Sequence, residues 1–152
     1  MNVVVEPITD RAESVLAAAA QDAKRRGHRS LRPEHILLAM IAEGDGVACR
    51  VLRTLDVDLT ALAADLQERI RPAPPVDWPD GKDGTDQPPP GLLNAAAAEA
   101  RDLGHCYVGT EHLLVAMARG EGPAAEALVA HGVTPVAAAT MVARLLGRQL
   151  NY

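Results

Sequence analysis

The two halves of the chain resemble each other, and this internal repeat limits the possible folds more than any other feature. When residues 15–40 are aligned with residues 92–117, 12 of the 26 positions are identical. Matching alanines would follow from composition alone. The pairs Gly27-His28 and Glu34-His35 recur with the same spacing as Gly104-His105 and Glu111-His112, which composition does not explain. The pattern therefore indicates a duplicated structural unit.

Each half is predicted to form four helices. In the first half, apolar residues recur at the spacing of one buried helical face, at Ala12, Val15, Leu16, Ala19, Ala20 and Ala23. Thr9 is a favourable N-cap for this helix, and Gly27 is a favourable residue just beyond its end. In the second half, Thr134 and Pro135 mark the start of the last helix. The chain is thus predicted to be all-α, with eight helices.

The composition agrees with tightly packed helices. Aromatic residues make up 2% of the chain, with no Phe, while hydrophobic residues make up 48%. A core of small aliphatic side chains suits helices better than sheets, which favour β-branched and aromatic residues. We interpret the chain as one domain over residues 1–152, with repeats at 8–71 and 92–148. The segment between them, 72–91, holds seven of the eleven prolines and four aspartates, which is typical of a linker.

Several classes of protein are disfavoured by the sequence. No stretch approaches the roughly 18 apolar residues of a membrane span, and the N-terminus lacks the pattern of a secretory signal. Cys49 and Cys106 match no zinc-site or CxxC spacing, so we expect reduced thiols and a cytoplasmic location. The net charge of −5 disfavours nucleic acid as the main partner. Neither a metal nor another cofactor is expected.

Two groups of residues allow both a structural and a functional interpretation. The adjacent Glu-His pairs lack the HExxH spacing of a zinc site, so buried, hydrogen-bonded histidines are expected, with His28 and His105 as capping residues. A basic cluster follows the first helix, formed by Lys24, Arg25, Arg26, His28, Arg29 and Arg32. It is typical of a solvated helix end, and the alternative is a phosphate-binding patch.

The repeated motifs, together with Ile8-Thr9-Asp10-Arg11-Ala12 and Gly120-Glu121-Gly122-Pro123, resemble the N-terminal repeat domain of Clp AAA+ unfoldases, of the ClpC type. The resemblance extends from about Ile8 to Gly147. It implies a pair of four-helix repeats related by a pseudo-twofold axis, which docks protein or peptide substrates and adaptors. Since the sequence contains no GxxxxGK[ST] motif, we expect a stand-alone, non-catalytic protein that modulates Clp-dependent proteolysis.

The resemblance also implies a phosphoarginine site at one helix start in each repeat. In the second repeat the matching residues are Gly109, Thr110 and Glu111. A carboxylate can pair with the guanidinium group, and a helix N-terminus can bind the phosphate. The structural alternative is that Thr110 caps the helix and Glu111 complements its dipole. In the first repeat Arg32 and Pro33 precede Glu34, and Pro33 removes both a hydroxyl and a backbone donor. Arg32 either pairs with Glu34 or itself contacts a phosphate, so a weaker or altered Glu34 site is expected.

A partner groove is expected from the same resemblance near Ile8, Thr9 and Arg11, with Trp78 of the linker either exposed or docked between the repeats. The aromatic residues usual at the repeat starts are missing, which weakens this expectation. Two alternative functions remain open. One is sequestration of a small molecule or cyclic peptide in the seam between the repeats, and the other is nucleic-acid binding by the basic cluster.

Overall fold

The structure, a computed structural model, describes residues 7–27, 31–70 and 90–146, and these ranges contain eight α-helices and no β-strand. The predicted all-α class is confirmed. The helices of the first repeat are α1 (Asp10–Arg25), α2 (Pro33–Glu43), α3 (Val47–Thr54) and α4 (Leu59–Arg69). Those of the second are α5 (Pro90–Asp102), α6 (Thr110–Arg119), α7 (Pro123–Ala130) and α8 (Pro135–Leu146).

The predicted N-caps begin their helices. The Thr9 hydroxyl oxygen accepts a hydrogen bond from the backbone N–H of Ala12 at 3.1 Å. The Thr134 hydroxyl accepts one from Ala137 at the same distance. Asp58, just before α4, accepts from the backbone of Thr60 at 3.0 Å. These side chains satisfy backbone donors that have no partner within their own helix, which is why the helices start at these positions.

The two repeats interlock around a pseudo-twofold axis. Helix α3 packs against α6 and α8 of the second repeat, and its counterpart α7 packs against α2 and α4 of the first. Exchanging the repeats converts one set of contacts into the other. The core is continuous across both repeats and is aliphatic, with the largest fully buried apolar side chains being Ile36, Leu37, Met40, Leu52, Leu62, Leu66, Leu113, Leu114 and Leu128.

A short backbone pairing joins the start of the first repeat to the loop before α6. The N–H of Thr9 donates to the carbonyl of Val108 at 3.0 Å, and the N–H of Val108 donates to the carbonyl of Pro7 at 2.8 Å. Ile8 and Val108 form an isolated parallel bridge. This contact holds the start of α1 beside the start of α6, where the candidate site lies.

Helix α5 begins at Pro90, two residues before the predicted start of the second repeat. Residues 71–89, including Trp78, lie outside the described ranges, as do Gly147 and the residues after it. The division into repeats and linker therefore stays a prediction. Within the described ranges no single helix is long and apolar enough to cross a membrane; α7 and α8 meet such a test only as a pair, which is bent by 75°.

Candidate functional site

A histidine occupies the third position of both α2 and α6, and it satisfies a backbone donor at the helix start. The Nδ1 atom of His35 accepts from the N–H of Arg32 at 2.9 Å. The Nδ1 atom of His112 accepts from the N–H of Gly109 at the same distance. Both histidines are fully buried, which confirms the prediction of buried, hydrogen-bonded side chains. The capping role itself was not predicted, although the third helical position is where Glu and Gln side chains reach back to an N-cap.

In the second repeat His112 belongs to a cluster of aromatic rings. Because its Nδ1 accepts a hydrogen bond, neutral His112 carries its proton on Nε2, which faces Nδ1 of His105 at 2.9 Å. The ring of Tyr107 stacks on that of His105, with centroids 5.4 Å apart. Burial, and then the proximity of His105, lowers the pKa of His112 to about 4. The cluster therefore requires a neutral His112 at physiological pH.

His105 also ends α5 through its backbone, as predicted. Its N–H donates to the carbonyl of Ala100 at 2.8 Å, while the N–H of Gly104 donates to that of Arg101 at 2.9 Å. Gly104 has a φ of 75°, which favours glycine. This pair of bonds is a Schellman motif. Its counterpart His28 in the first repeat lies outside the described residues.

Thr110 does not cap its own helix, so the structural alternative stated for it is wrong. Gly109 is the N-cap, with an extended backbone, and Thr110 is already the first helical residue. The Thr110 side chain is buried, and its hydroxyl oxygen accepts from the backbone N–H of Ala48 at 3.3 Å. Ala48 is the second residue of α3, so Thr110 caps a helix of the opposite repeat.

Glu111 is buried beside Gly109, with 3% of its surface exposed. A Cβ atom built on Gly109 would lie 2.3 Å from a carboxylate oxygen of Glu111, so the carboxylate occupies the space that the glycine leaves. The hydroxyl of Tyr107 donates to Glu111 Oε2 at 3.3 Å. Burial raises the pKa of Glu111, and the hydrogen bonds from its own N–H and from Tyr107 oppose this. Burial and the nearby carboxylate raise the pKa of Tyr107 to about 12.

The first repeat presents the equivalent residues differently. Glu34 is buried, while Arg32 is exposed and is the N-cap of α2. The structure shows no ion pair between them, so Arg32 does not neutralise Glu34 as one interpretation of the sequence suggested. Pro33 is the first helical residue, in the place of Thr110. It has no hydroxyl and cannot cap a helix of the other repeat.

The residues of the predicted partner groove separate in the structure. Ile8 lines a cavity of about 550 Å³ between α1 and α5, together with Leu16, Leu31 and Leu93. Thr9 instead caps α1, and Arg11 instead forms an ion pair with Glu43 of α2. Neither of them lines this cavity, and the fourth predicted residue, Trp78, is not described.

Part of the basic cluster is held by contacts within the first repeat. The guanidinium of Arg26 donates to Asp22 at 2.7 Å and to Gln67 of α4 at 2.6 Å. Arg25 lies 3.5 Å from Asp22, with 76% of its side chain exposed. Arg29 lies outside the described residues. Such contacts are expected of basic side chains at the C-terminal end of α1, where the helix dipole is negative, and they explain the presence of Arg25 and Arg26 there.

With this arrangement established, comparison with known proteins decides the family. The family model described as the Clp repeat (R) N-terminal domain matches residues 7–131 and 90–151. The chain belongs to this family. Overlapping matches are expected for a Clp repeat domain, since its two halves follow the same pattern.

Curated relatives of this Clp repeat domain are much longer proteins. It is 36% identical over 145 residues to "Chaperone protein ClpB" of Oceanobacillus iheyensis and to "Negative regulator of genetic competence ClpC/MecB" of Bacillus subtilis. The match covers 91% of the chain and 17% of either relative. The chain thus spans about a sixth of the length of these relatives.

Solved structures agree with the fold of the Clp repeat domain. The N-terminal domain of Hsp104 from Candida albicans has a TM-score of 0.76 at 19% identity, covering 95% of this chain and 94% of that one. The N-terminal domain of the ClpV1 ATPase of E. coli has a TM-score of 0.61 at 20% identity, covering 91% and 85%. At these identities the likeness concerns the fold alone.

Proposed function

We propose that this Clp repeat domain is a non-catalytic docking module for protein or peptide substrates and adaptors, and that it modulates Clp-dependent proteolysis. Within this function we propose that the start of α6 binds phosphorylated arginine. The observation that carries the site is the buried carboxylate of Glu111, which has no Lys or Arg partner among the described residues.

A buried carboxylate without a Lys or Arg partner is costly, and burial raises the pKa of Glu111. The guanidinium group of phosphoarginine would supply the missing donors to this carboxylate. Its phosphate would lie at the N-terminal end of α6, where the helix dipole favours negative charge. The two parts of the ligand thus match two neighbouring features of the site.

Binding at this site requires Glu111 to exchange its present contacts. Its carboxylate would leave the hydrogen bond with Tyr107 and turn outward past Gly109, which presents no side chain to obstruct the movement. The hydroxyl of Thr110 keeps its hydrogen bond with the N–H of Ala48, so Thr110 positions α6 and does not touch the ligand. In the first repeat, Glu34 is buried in the same way, but Pro33 removes a backbone donor. We therefore expect the Glu34 site to be the weaker one, with exposed Arg32 available to the phosphate.

Calorimetric titration of a short phosphoarginine peptide tests the site, with the unmodified arginine peptide as the ligand control. Glu111→Gln keeps the shape of the side chain and removes its charge, and we expect it to weaken binding at least tenfold. Glu34→Gln should weaken binding less. Glu68→Gln on the exposed face of α4 is the matched control and should leave binding unchanged. Equal affinity for the wild type and Glu111→Gln, or no binding by either, would overturn the phosphoarginine site.

The modulating role has its own test. A Clp unfoldase and its peptidase degrade a tagged reporter in the presence of increasing amounts of this domain. A change in the degradation rate that saturates with the domain supports the proposal, and the sign of the change shows whether the domain assists or competes. An unchanged rate at all concentrations would contradict it.

The cavity at Ile8 favours a second candidate function. With about 550 Å³ and walls that are mainly aliphatic but include Glu13, Gln21 and Lys24 of α1, it is large enough for a small apolar molecule or part of a cyclic peptide. Sequestration of such a ligand predicts that Leu93→Trp, which fills the cavity, abolishes binding while the domain stays folded. Crystals soaked with cyclic peptides that leave the cavity empty would count against this function.

A further inference from the structure

The two repeats differ on one face that the candidate site does not use. In the first repeat, Arg53 of α3 reaches back to the end of α2, where its guanidinium donates to the carbonyl of Gly44 at 2.9 Å. The alignment that pairs Gly44 with Gly120 and Leu52 with Leu128 places Val129 at the position of Arg53. The second repeat therefore lacks the arginine that covers the corresponding helix end.

A shallow cavity lies at this position in the second repeat. It has a volume of about 590 Å³ and lies between the end of α6 and α7. Its apolar walls include Ala118, Ala125 and Val129, and 55% of the Val129 surface is exposed. We call it the α6–α7 groove. The exposed valine and the small residues beside it leave room for an apolar side chain.

The charges around the α6–α7 groove are negative. Glu121 and Glu126 line it, and no basic side chain does. Arg69 lies 3.7 Å from Glu126, whose side chain remains 62% exposed. Arg119, the last residue of α6, pairs with Glu99 of α5. The C-terminal end of α6 adds the negative end of a helix dipole. The first repeat has Arg50 in place of Glu126, so the sign of the charge is reversed at that position.

We propose that the α6–α7 groove docks an arginine of a partner protein, next to an aliphatic residue of the same segment. The partner's guanidinium lies near the C-terminal end of α6 and pairs with Glu121 and Glu126. The aliphatic neighbour packs on Val129 and Ala125. Arginine suits this place better than lysine because its planar group donates several hydrogen bonds in fixed directions.

The proposal rests on the docking function proposed above, but it concerns another surface and another ligand. A phosphoarginine carries negative charge, so Glu121 and Glu126 repel it, whereas the start of α6 favours it. Segments with unmodified arginine therefore bind the α6–α7 groove, and segments with phosphoarginine bind the Glu111 site.

The test uses NMR titration of the full chain with a five-residue peptide, Ala-Leu-Arg-Leu-Ala, blocked at both ends. The control peptide contains citrulline, which keeps the shape of arginine without its charge. We expect shifts at Gly120, Gly122 and Val129 with the arginine peptide, and at least fivefold weaker binding of the citrulline peptide. A phosphoarginine version of the peptide should not shift these three residues.

Two variants that add the same charge at different places test the groove itself. Val129→Arg restores the residue of the first repeat and should abolish the shifts at Gly120 and Gly122. Val136→Arg adds an arginine at another exposed valine, on α8, and should bind like the wild type. If Val129→Arg does not fold, the double variant Glu121→Gln/Glu126→Gln replaces it and should weaken binding at least fivefold.

Equal binding of the arginine and citrulline peptides, or equal loss in both valine variants, would overturn the proposal. Shifts confined to the start of α6 or to the Ile8 cavity would also overturn it while leaving the docking function intact. An absence of shifts anywhere would refute the groove, and the docking function would then be judged by the phosphoarginine titration.

Discussion

The hydroxyl of Thr110 in the second repeat caps helix α3 of the first, because its oxygen accepts a hydrogen bond from the buried N–H of Ala48. A residue at the start of one helix thus completes the start of another, across the interface between the repeats. Loss of this acceptor leaves a buried backbone donor without a partner, which gives a first prediction.

Thr110→Val replaces the hydroxyl by a methyl group of similar size. We expect it to lower the free energy of unfolding by about 1–2 kcal/mol, the usual cost of an unsatisfied buried donor or a lost N-cap. Urea denaturation measures the change. Thr110→Ser keeps the hydroxyl and should recover most of the stability, and Thr54→Val, at an exposed helix end, should change little. Equal stability of Thr110→Val and the wild type would show that the Ala48 contact does not stabilise the interface.

The lowered pKa of His112 makes the stability of the domain dependent on pH. The folded pKa is about 4 and the ordinary value is 6.5, so the unfolded chain binds more protons between these values. Stability from the neutral ring is present above pH 6.5 and is lost as the pH falls toward 4. Between pH 7 and pH 5, we expect the wild type to lose about 2 kcal/mol more than His112→Gln.

His112→Gln is a suitable comparison because Gln does not titrate, and at the third helical position it can still accept from Gly109. Urea denaturation at several pH values, for both proteins, measures the difference. Parallel pH profiles for the two proteins would contradict the prediction.

Glu111 is predicted to destabilise the domain at neutral pH. Since burial raises its folded pKa, the folded state holds a proton longer than the unfolded state does. The stabilising contribution of protonated Glu111 is present below the ordinary pKa of a glutamate. It is lost as the pH rises through the pKa of Glu111 in the folded state. Glu111→Gln should be more stable than the wild type at pH 7, by under about 1 kcal/mol because a favourable carboxylate–dipole contact is also lost.

The advantage of Glu111→Gln should shrink as the pH is lowered toward 4, which thermal unfolding at several pH values would measure. Glu68→Gln, on the exposed face of α4, should show no such trend. Together with the phosphoarginine titration, a more stable variant that no longer binds the ligand would separate binding from folding. A Glu111→Gln protein that is less stable at pH 7 would refute this interpretation.

A methyl group at Gly109 is predicted to disturb the candidate site. The added Cβ of Gly109→Ala would lie 2.3 Å from a carboxylate oxygen of buried Glu111, so that side chain must move. Because the clash is with the flexible end of the Glu111 side chain, we expect a loss of only about 1 kcal/mol, from the changed Glu111 rotamer and the poorer N-cap. Gly91→Ala, at the second residue of α5, meets nothing within 4 Å and should not lower the stability. Equal stability of the two variants, by urea denaturation, would contradict the prediction.

Many helix ends could be predicted because they depend on neighbouring residues. Thr9 and Thr134 cap the helices that follow them, and Gly104 ends the helix before it, since each makes contacts only a few residues away. The apolar spacing of α1 likewise predicted the face that is buried. Such local signals can be interpreted without knowing the rest of the fold.

The candidate site could be predicted only in part. The position of Gly109, Thr110 and Glu111 at a helix start follows from the sequence, but their burial does not. The hydrogen bond of Thr110 to Ala48 joins residues 62 positions apart, which no periodicity reveals. Arg11 does not line the Ile8 cavity and instead forms an ion pair with Glu43, 32 positions along the chain. This contact could not be predicted from the sequence either.

The sequence by itself determined the duplication, the helical class and most helix ends, since these follow from periodicity, capping chemistry and the recurrence of short motifs. The tertiary structure decided which matching positions of the two repeats have the same surroundings. Glu34 and Glu111 are both buried, yet Arg53 covers one helix end while Val129 leaves the other open. The physical reason is that helix starts and ends depend on residues a few positions apart. Burial and charge pairing depend on residues of distant segments that only the folded chain brings into contact.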